Sequence, residues 1–265
     1  MGLLVLLQNS SQSTLKGEKR ILRLDFIDCG NCVDLMRDLP NECIDLTVTS
    51  PPYDNLRKYN GFDFDYISVI KELHRITKQN GVVVWVVGDA TINGSETGTS
   101  FKEALAFMDT GFKLHDIMIY EKNSSTFPAR KNSNRYTQIF EYMFVFSKGI
   151  PKAHLICDKK NKYAGWKDFS GKLKNPVPDF SPRTNIWKYT TSFNDKTSHP
   201  AVFPEKLAED HILTWSEEGD VVFDPFVGSG TTAKMAMLNN RHYIGFDISQ
   251  EYCEIASERV LKYAS

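Results

Sequence analysis

Residues 82–87 read VVVWVV, bounded by Gly81 and by Gly88-Asp89. Successive side chains of a strand point to opposite faces, so a run with no polar alternation needs apolar cover on both. A parallel sheet between two layers of helices supplies that cover, and the rest of the chain reads as a matching alternation of strands and helices. Strand-like runs occupy 21–27 (ILRLDFI), 43–50 (CIDLTVTS), 113–122 (KLHDIMIYEK) and 139–148 (IFEYMFVFSK). Before the valine run, Ile67, Ile70, Leu73 and Ile76 recur at helical spacing, and Gly81 is the expected stop of that helix. A further helix is expected over 99–110. Residues 149–198, rich in Gly, Pro, Asn, Lys and aromatics, break the pattern. Order returns with a helix carrying Pro204 in its first turn, then the strand GDVVFDPF, a glycine-rich turn, the helix TTAKMAMLNN, the strand HYIGFDIS and a last helix begun by Ser249. The expected class is α/β with a mainly parallel sheet, and the irregular segment is an insertion or subdomain within it.

A chain of 265 residues suits one domain with an insertion, and 41% hydrophobic with 25% charged residues excludes disorder. No apolar run reaches the roughly 18–20 residues of a membrane span. The leucines of MGLLVLLQNS lack a basic leader, so the expected location is cytoplasmic, with no membrane partner, and residues 1–20 read as a poorly ordered extension. Cys29 and Cys32 form a lone C-x-x-C without the second pair or the histidines of a zinc site. They read as two thiols near a strand end, and no metal is expected. The net charge of −1 hides an asymmetry: residues 121–198 carry 15 Lys and Arg against 6 Asp and Glu, the remainder 17 against 27. Such asymmetry suggests a basic face suited to nucleic acid on an otherwise acidic protein, with a merely solvated basic loop region as the alternative.

The turn DPFVGSGTT (224–232) lies between a strand and a helix, where doubly wound sheets bind ligands. Gly228 and Gly230 allow close backbone approach, and Asp247, at the end of the next strand, is placed for a ribose hydroxyl pair. An adenosine-containing cofactor follows. No lysine follows Gly230, as a phosphate-binding P-loop requires, and Ala233 stands where a dinucleotide fold has its third glycine. Asp224 would repel a pyrophosphate and suits a cationic ligand.

Upstream, the strand ending at Thr49 runs into Ser50-Pro51-Pro52-Tyr53. With DPFVGSGTT and HPAVFPEKL (199–207), this motif resembles the S-adenosylmethionine-dependent DNA amino-methyltransferases that modify N4 of cytosine or N6 of adenine. The catalytic motif precedes the cofactor motif, as in the β order of that family, and the resemblance covers about residues 21–262. It implies a doubly wound, mainly parallel seven-stranded sheet of the Rossmann-like methyltransferase type over 21–265, with a basic target-recognition insertion at 149–198. It also implies the roles. Ser50, Pro51, Pro52 and Tyr53 are catalytic. Asp224, Pro225, Phe226, Gly228, Ser229, Gly230 and Thr231 line the cofactor, Asp247 binds its ribose, and His199, Pro200, Ala201, Phe203, Pro204 and Lys206 belong to an additional cofactor segment. The family's Gly-Asp-Cys is here Gly30-Asn31-Cys32, so Asn31 keeps an acceptor near the cofactor but loses the charge. Arg130, Lys131, Arg135, Lys159, Lys160, Lys162, Lys167, Lys172 and Lys174 are the expected contacts to double-stranded DNA.

Serine before Pro-Pro leans, within that family, to N4 of cytosine, and the alternative is N6 of adenine. A cognate restriction endonuclease and a homodimer are left open as partners. Two other classes compete. A P-loop nucleotide hydrolase lacks its lysine, and a non-catalytic DNA-binding module would leave both motifs idle.

Overall fold

The computed structural model describes residues 22–52, 64–123, 134–167, 175–190 and 204–263. In chain order the elements are β1 (Phe26–Cys29), α1 (Cys32–Asp38), β2 (Ile44–Thr49), α2 (Tyr66–Ile76), β3 (Thr77–Val87), β4 (Thr91–Ile92), β5 (Ser95–Glu96), α3 (Thr99–Thr110), β6 (Lys113–Lys122) and β7 (Phe140–Ser147). They continue with β8 (Lys159–Lys160), β9 (Phe180–Ser181), β10 (Ile186–Tyr189), α4 (Glu205–Trp215), β11 (Val221–Asp224), α5 (Thr231–Leu238), β12 (His242–Asp247) and α6 (Gln250–Leu261). The main sheet has the order β1-β12-β11-β2-β3-β7-β6-β10, and β7 runs antiparallel to its two neighbours while the other pairs are parallel. Among the described residues no helix is long and apolar enough to cross a membrane.

The valine run behaves as its lack of polarity demands. Val83, Trp85 and Val87 enter a core shared with α1, α2 and α3, while Val82, Val84 and Val86 enter a second core shared with α4 and α5. Phe144 and Phe146 on β7 face the first core, and Met143 and Val145 face the second. Helix α6 packs on α5, β1 and β12.

Four features depart from the sequence reading. Helix α2 ends at Ile76, where the Thr77 hydroxyl donates to the Leu73 carbonyl at 2.6 Å, and Gly81 lies inside β3. A Cβ on Gly81 would meet the Asp45 carbonyl oxygen at 2.9 Å, so the glycine serves a close strand approach beside an irregularity in β2 and stops no helix. The buried stripe of α2 is Val69, Ile70, Leu73 and Ile76, and Ile67 is exposed. Helix α1, which the sequence reading did not place, follows β1 and is capped by the Asn31 side chain, while Cys29 and Cys32 are two free thiols at that strand end, as read. The fourth is β10, an eighth strand. Its alternation places Trp187 and Tyr189 in the second core, so part of the basic insertion belongs to the sheet.

The described part of that insertion also carries a two-stranded ribbon. Lys159 pairs with Ser181 and Lys160 with Phe180, and the ladder continues through Asn161 N to the Asp179 carbonyl (2.8 Å) and Val177 N to the Trp166 carbonyl (2.9 Å). Asp210 of α4, almost fully buried, roots it. Its carboxylate accepts from Arg183 at 2.7 Å and from the Tyr189 hydroxyl at 2.7 Å.

Candidate active site

Strands β12, β11 and β2 are parallel neighbours, so Asp247, Asp224 and Thr49 end on one edge of the sheet. The chain runs from β2 outward to β3 and from β11 the other way to β12, so the order reverses between β2 and β11. A crevice opens at such a point. Ser50, half-buried, and Pro51, buried, follow β2 directly and so stand at that crevice.

Asp224 is buried at the centre of this edge. Its Oδ1 accepts from the Thr49 hydroxyl at 2.6 Å and from Phe226 N at 3.0 Å. Burial pushes its carboxyl up to about 7 in spite of those bonds. Asp247 accepts from Gly228 N at 3.0 Å through one oxygen and from Ser249 N at 2.9 Å through the other, and burial raises its pKa too. Among the described residues neither acid is ion-paired, and each is held by neutral hydrogen-bond donors. Phe226 adds an apolar wall, edge-on to Phe64 at 5.4 Å and to Trp85 at 6.3 Å. A cationic sulfonium joined to a ribose fits this set, and a pyrophosphate does not.

The glycine-rich turn is braced from behind. Arg259 of α6 donates to the Ser229 carbonyl (3.1 Å), the Ser229 hydroxyl (3.0 Å), Thr231 Oγ1 (3.3 Å) and Glu205 Oε1 (2.6 Å). Lys234, buried in α5, bonds the same Glu205 oxygen at 2.6 Å. Burial alone would raise the Glu205 carboxyl, but the two cations outweigh it and hold it below the usual range. Glu205 follows Pro204, the N-cap of α4, so the start of that helix is tied to the turn. Gly230, at φ +81°, caps α5, and a Cβ there would meet Ala256 at 3.0 Å. Its freedom therefore serves the contact with α6.

The structure gathers Ser50, Pro51, Pro52, Asp224, Pro225, Phe226, Gly228, Ser229, Gly230, Thr231 and Asp247 at one crevice or in the turn beside it. Asn31 lies near it, since Gly30 N donates to the Asp247 carbonyl at 2.9 Å, but the Asn31 side-chain oxygen is engaged by Val33 N. Lys206 bonds Glu209 and Asp210 on its own helix. Tyr53, His199, Pro200, Ala201, Phe203, Arg130, Lys131, Lys172 and Lys174 lie outside the described residues.

Of the basic residues, Arg135 is held to Glu96 and the Gly94 carbonyl, while Lys122, Lys148, Lys152, Arg183 and Lys188 are ion-paired. Lys159, Lys160, Lys162 and Lys167 are exposed on the ribbon and form no ion pair with a described residue. Tyr163, Trp166 and Phe180 are exposed among them.

Sequence reasoning missed Thr49, Thr232, Glu205, Lys234 and Arg259. Lys234 offered a signal, because a lysine inside the apolar helix TTAKMAML needs an acid to be buried.

Comparison with known proteins agrees with this geometry. A family model described as DNA methylase, of the N6/N4 type, matches residues 44–258. The chain is 56% identical over 249 residues to the orphan methyltransferase M.BamHII of Bacillus amyloliquefaciens, covering 86% of this chain and 93% of that protein. It is 27% identical to the type II methyltransferase M.SmaI of Serratia marcescens, covering 91% and 92%. Among solved structures, the cytosine-N4-specific PvuII DNA methyltransferase superposes with a TM-score of 0.69 at 23% identity, covering 89% of each chain. The M1.HpyAVI–SAM complex gives 0.63 at 24% identity, covering 89% of this chain and 98% of that one. With this fold, this crevice and these relatives, the chain belongs to the N6/N4 DNA methylase family and is an S-adenosylmethionine-dependent DNA methyltransferase.

Proposed function

We propose that the protein methylates the exocyclic N4 amine of cytosine in double-stranded DNA, on a base turned out of the duplex. The observation that carries this reading is Ser50, a hydroxyl acceptor set on a Pro-Pro turn one residue beyond the Thr49–Asp224 contact. The amine is a poor nucleophile because its lone pair is delocalised into the ring. Ser50 Oγ and the Pro51 carbonyl accept its hydrogens as the nitrogen pyramidalises, an interaction strongest in the transition state. Pro51 and Pro52 fix two φ angles and so keep those acceptors in place. Tyr53, by the family resemblance, stacks on the extruded base. When bound, S-adenosylmethionine supplies an activated methyl group on a sulfonium. Asp224 balances its cationic end, Asp247 takes the ribose hydroxyls, and Phe226 gives an apolar wall. Lys159, Lys160, Lys162 and Lys167 neutralise phosphates, and the exposed ribbon has the form that a major groove admits.

Serine before Pro-Pro favours cytosine, and the cytosine-N4-specific PvuII enzyme shares the fold. Adenine N6 is the second reading, since a hydroxyl accepts from either amine. The test is transfer of labelled methyl to unmodified DNA. Ser50→Ala should lose most transfer and retain S-adenosylmethionine affinity by calorimetry, and near-normal turnover would remove Ser50 from the mechanism.

A further inference from the structure

The backbone ladder between β11 and β2 comprises Val222↔Leu46 and Phe223↔Thr47, and beyond it the two strand ends part to form the crevice. Two buried threonines bridge the gap. Thr49 donates to Asp224 Oδ1 at 2.6 Å, and Thr232 donates to the Val48 carbonyl at 3.1 Å beside the same carboxylate. Two other buried threonines bond the carbonyl four residues back, Thr77 to Leu73 and Thr214 to Asp210. Thr49 and Thr232 instead reach across 175 and 184 residues of sequence. Each is a neighbour of the working parts: Thr49 precedes Ser50, and Thr232 follows the turn Gly228–Thr231.

We infer that Thr49 and Thr232 are positioning residues, a two-bond clasp that holds the Ser50 acceptor in register with the methyl donor seated at Asp224. The inference rests on the methyl-transfer reading above. Neither hydroxyl is a catalytic group. Each acts by fixing the end of β2 against β11 or α5, beyond the last backbone pair of β2 and β11. Misplacement of reacting groups by about 1 Å costs on the order of 100-fold in rate, so loss of one bond should act on the chemical step more than on cofactor binding.

The experiment compares wild type, Thr49→Val, Thr49→Ser and Thr232→Val, measuring S-adenosylmethionine affinity by calorimetry and single-turnover transfer of labelled methyl to DNA. Thr49→Val, which keeps the shape and removes the donor, should slow transfer about tenfold or more while affinity stays within about threefold. Thr49→Ser should restore the rate, and Thr232→Val should show the same split. A wild-type rate in Thr49→Val, an affinity loss equal to the rate loss, or a Thr49→Ser as slow as the valine variant would overturn the clasp. If Thr49→Val does not fold, a wild-type rate in Thr232→Val overturns it. Failure of the underlying reading shows in the wild-type arm, where absence of any transfer would remove the reaction that the clasp positions. Wild-type turnover with unaffected variants would refute the clasp and leave the reading standing.

Discussion

Replacing Arg259 with alanine removes one guanidinium from four acceptors: the Ser229 carbonyl, the Ser229 and Thr231 hydroxyls, and Glu205. Its side chain is 10% exposed, so water does not substitute for it easily. Hydrogen bonds to a charged group contribute roughly 1.5–3 kcal/mol each, and breaking a buried ion pair costs about 3–5 kcal/mol. Glu205 is 35% exposed and keeps Lys234 as a partner, which places the loss near the bottom of that range, at about 3 kcal/mol. For a chain of this size that is a fall of roughly 6–12 °C in Tm. The released residues belong to the glycine-rich turn, and if that turn holds the cofactor as proposed, S-adenosylmethionine affinity should fall about tenfold, or ~1.4 kcal/mol. Arg259→Lys keeps a charge for Glu205 but not the fork that spans Ser229 and Thr231, and should recover more stability than affinity. Thermal denaturation and titration calorimetry read both. A variant Arg259→Ala with a wild-type Tm and wild-type affinity would refute the brace.

Three further outcomes follow from the site and the ribbon. Burial holds the Asp224 carboxyl up to about 7, against hydrogen bonds from Thr49 and Phe226 N and with Asp247 repelling its charge. A folded pKa above the unfolded value of ~3.9 means stability that is full below about pH 4 and lost as pH rises through about 7. The ligand-free Tm should therefore carry a downward slope across that window which Asp224→Asn removes, and an identical pH profile in both proteins would contradict the assignment. Gly228→Val and Asp247→Ala should both impair S-adenosylmethionine binding, and calorimetry showing wild-type affinity in both would place the pocket elsewhere. Reversing Lys159 and Lys160 to Glu should weaken binding to all DNA sequences and flatten the salt dependence of affinity, since fewer counterions are released. An unchanged slope would move the DNA surface off the ribbon.

Much of this was legible because local pattern and global fold agree. The valine run announces a strand covered on both faces, and alternate residues do enter two cores. Ser249 signals the start of α6 and does cap it. The motif residues of the crevice could be located because strand ends of a parallel sheet share an edge. What escaped was set by contacts distant in sequence. Gly81 looks like a helix stop until Asp45 is seen beside it. Strand β10 is too short to stand out in a Gly- and Pro-rich stretch, and its burial comes from Trp187 and Tyr189 meeting the second core. Thr49 and Arg259 carry no motif, and their roles arise from partners at Asp224, Ser229 and Glu205 that spacing does not reveal.

The central claim is the identity of the methylated atom, and nucleoside mass spectrometry of DNA from cells expressing the protein reads it directly. N4-methylcytosine should appear with the wild type and vanish with Ser50→Ala. N6-methyladenine in its place would contradict the cytosine assignment, and the absence of any methylated nucleoside above the background of cells without the protein would contradict methyl transfer to DNA itself.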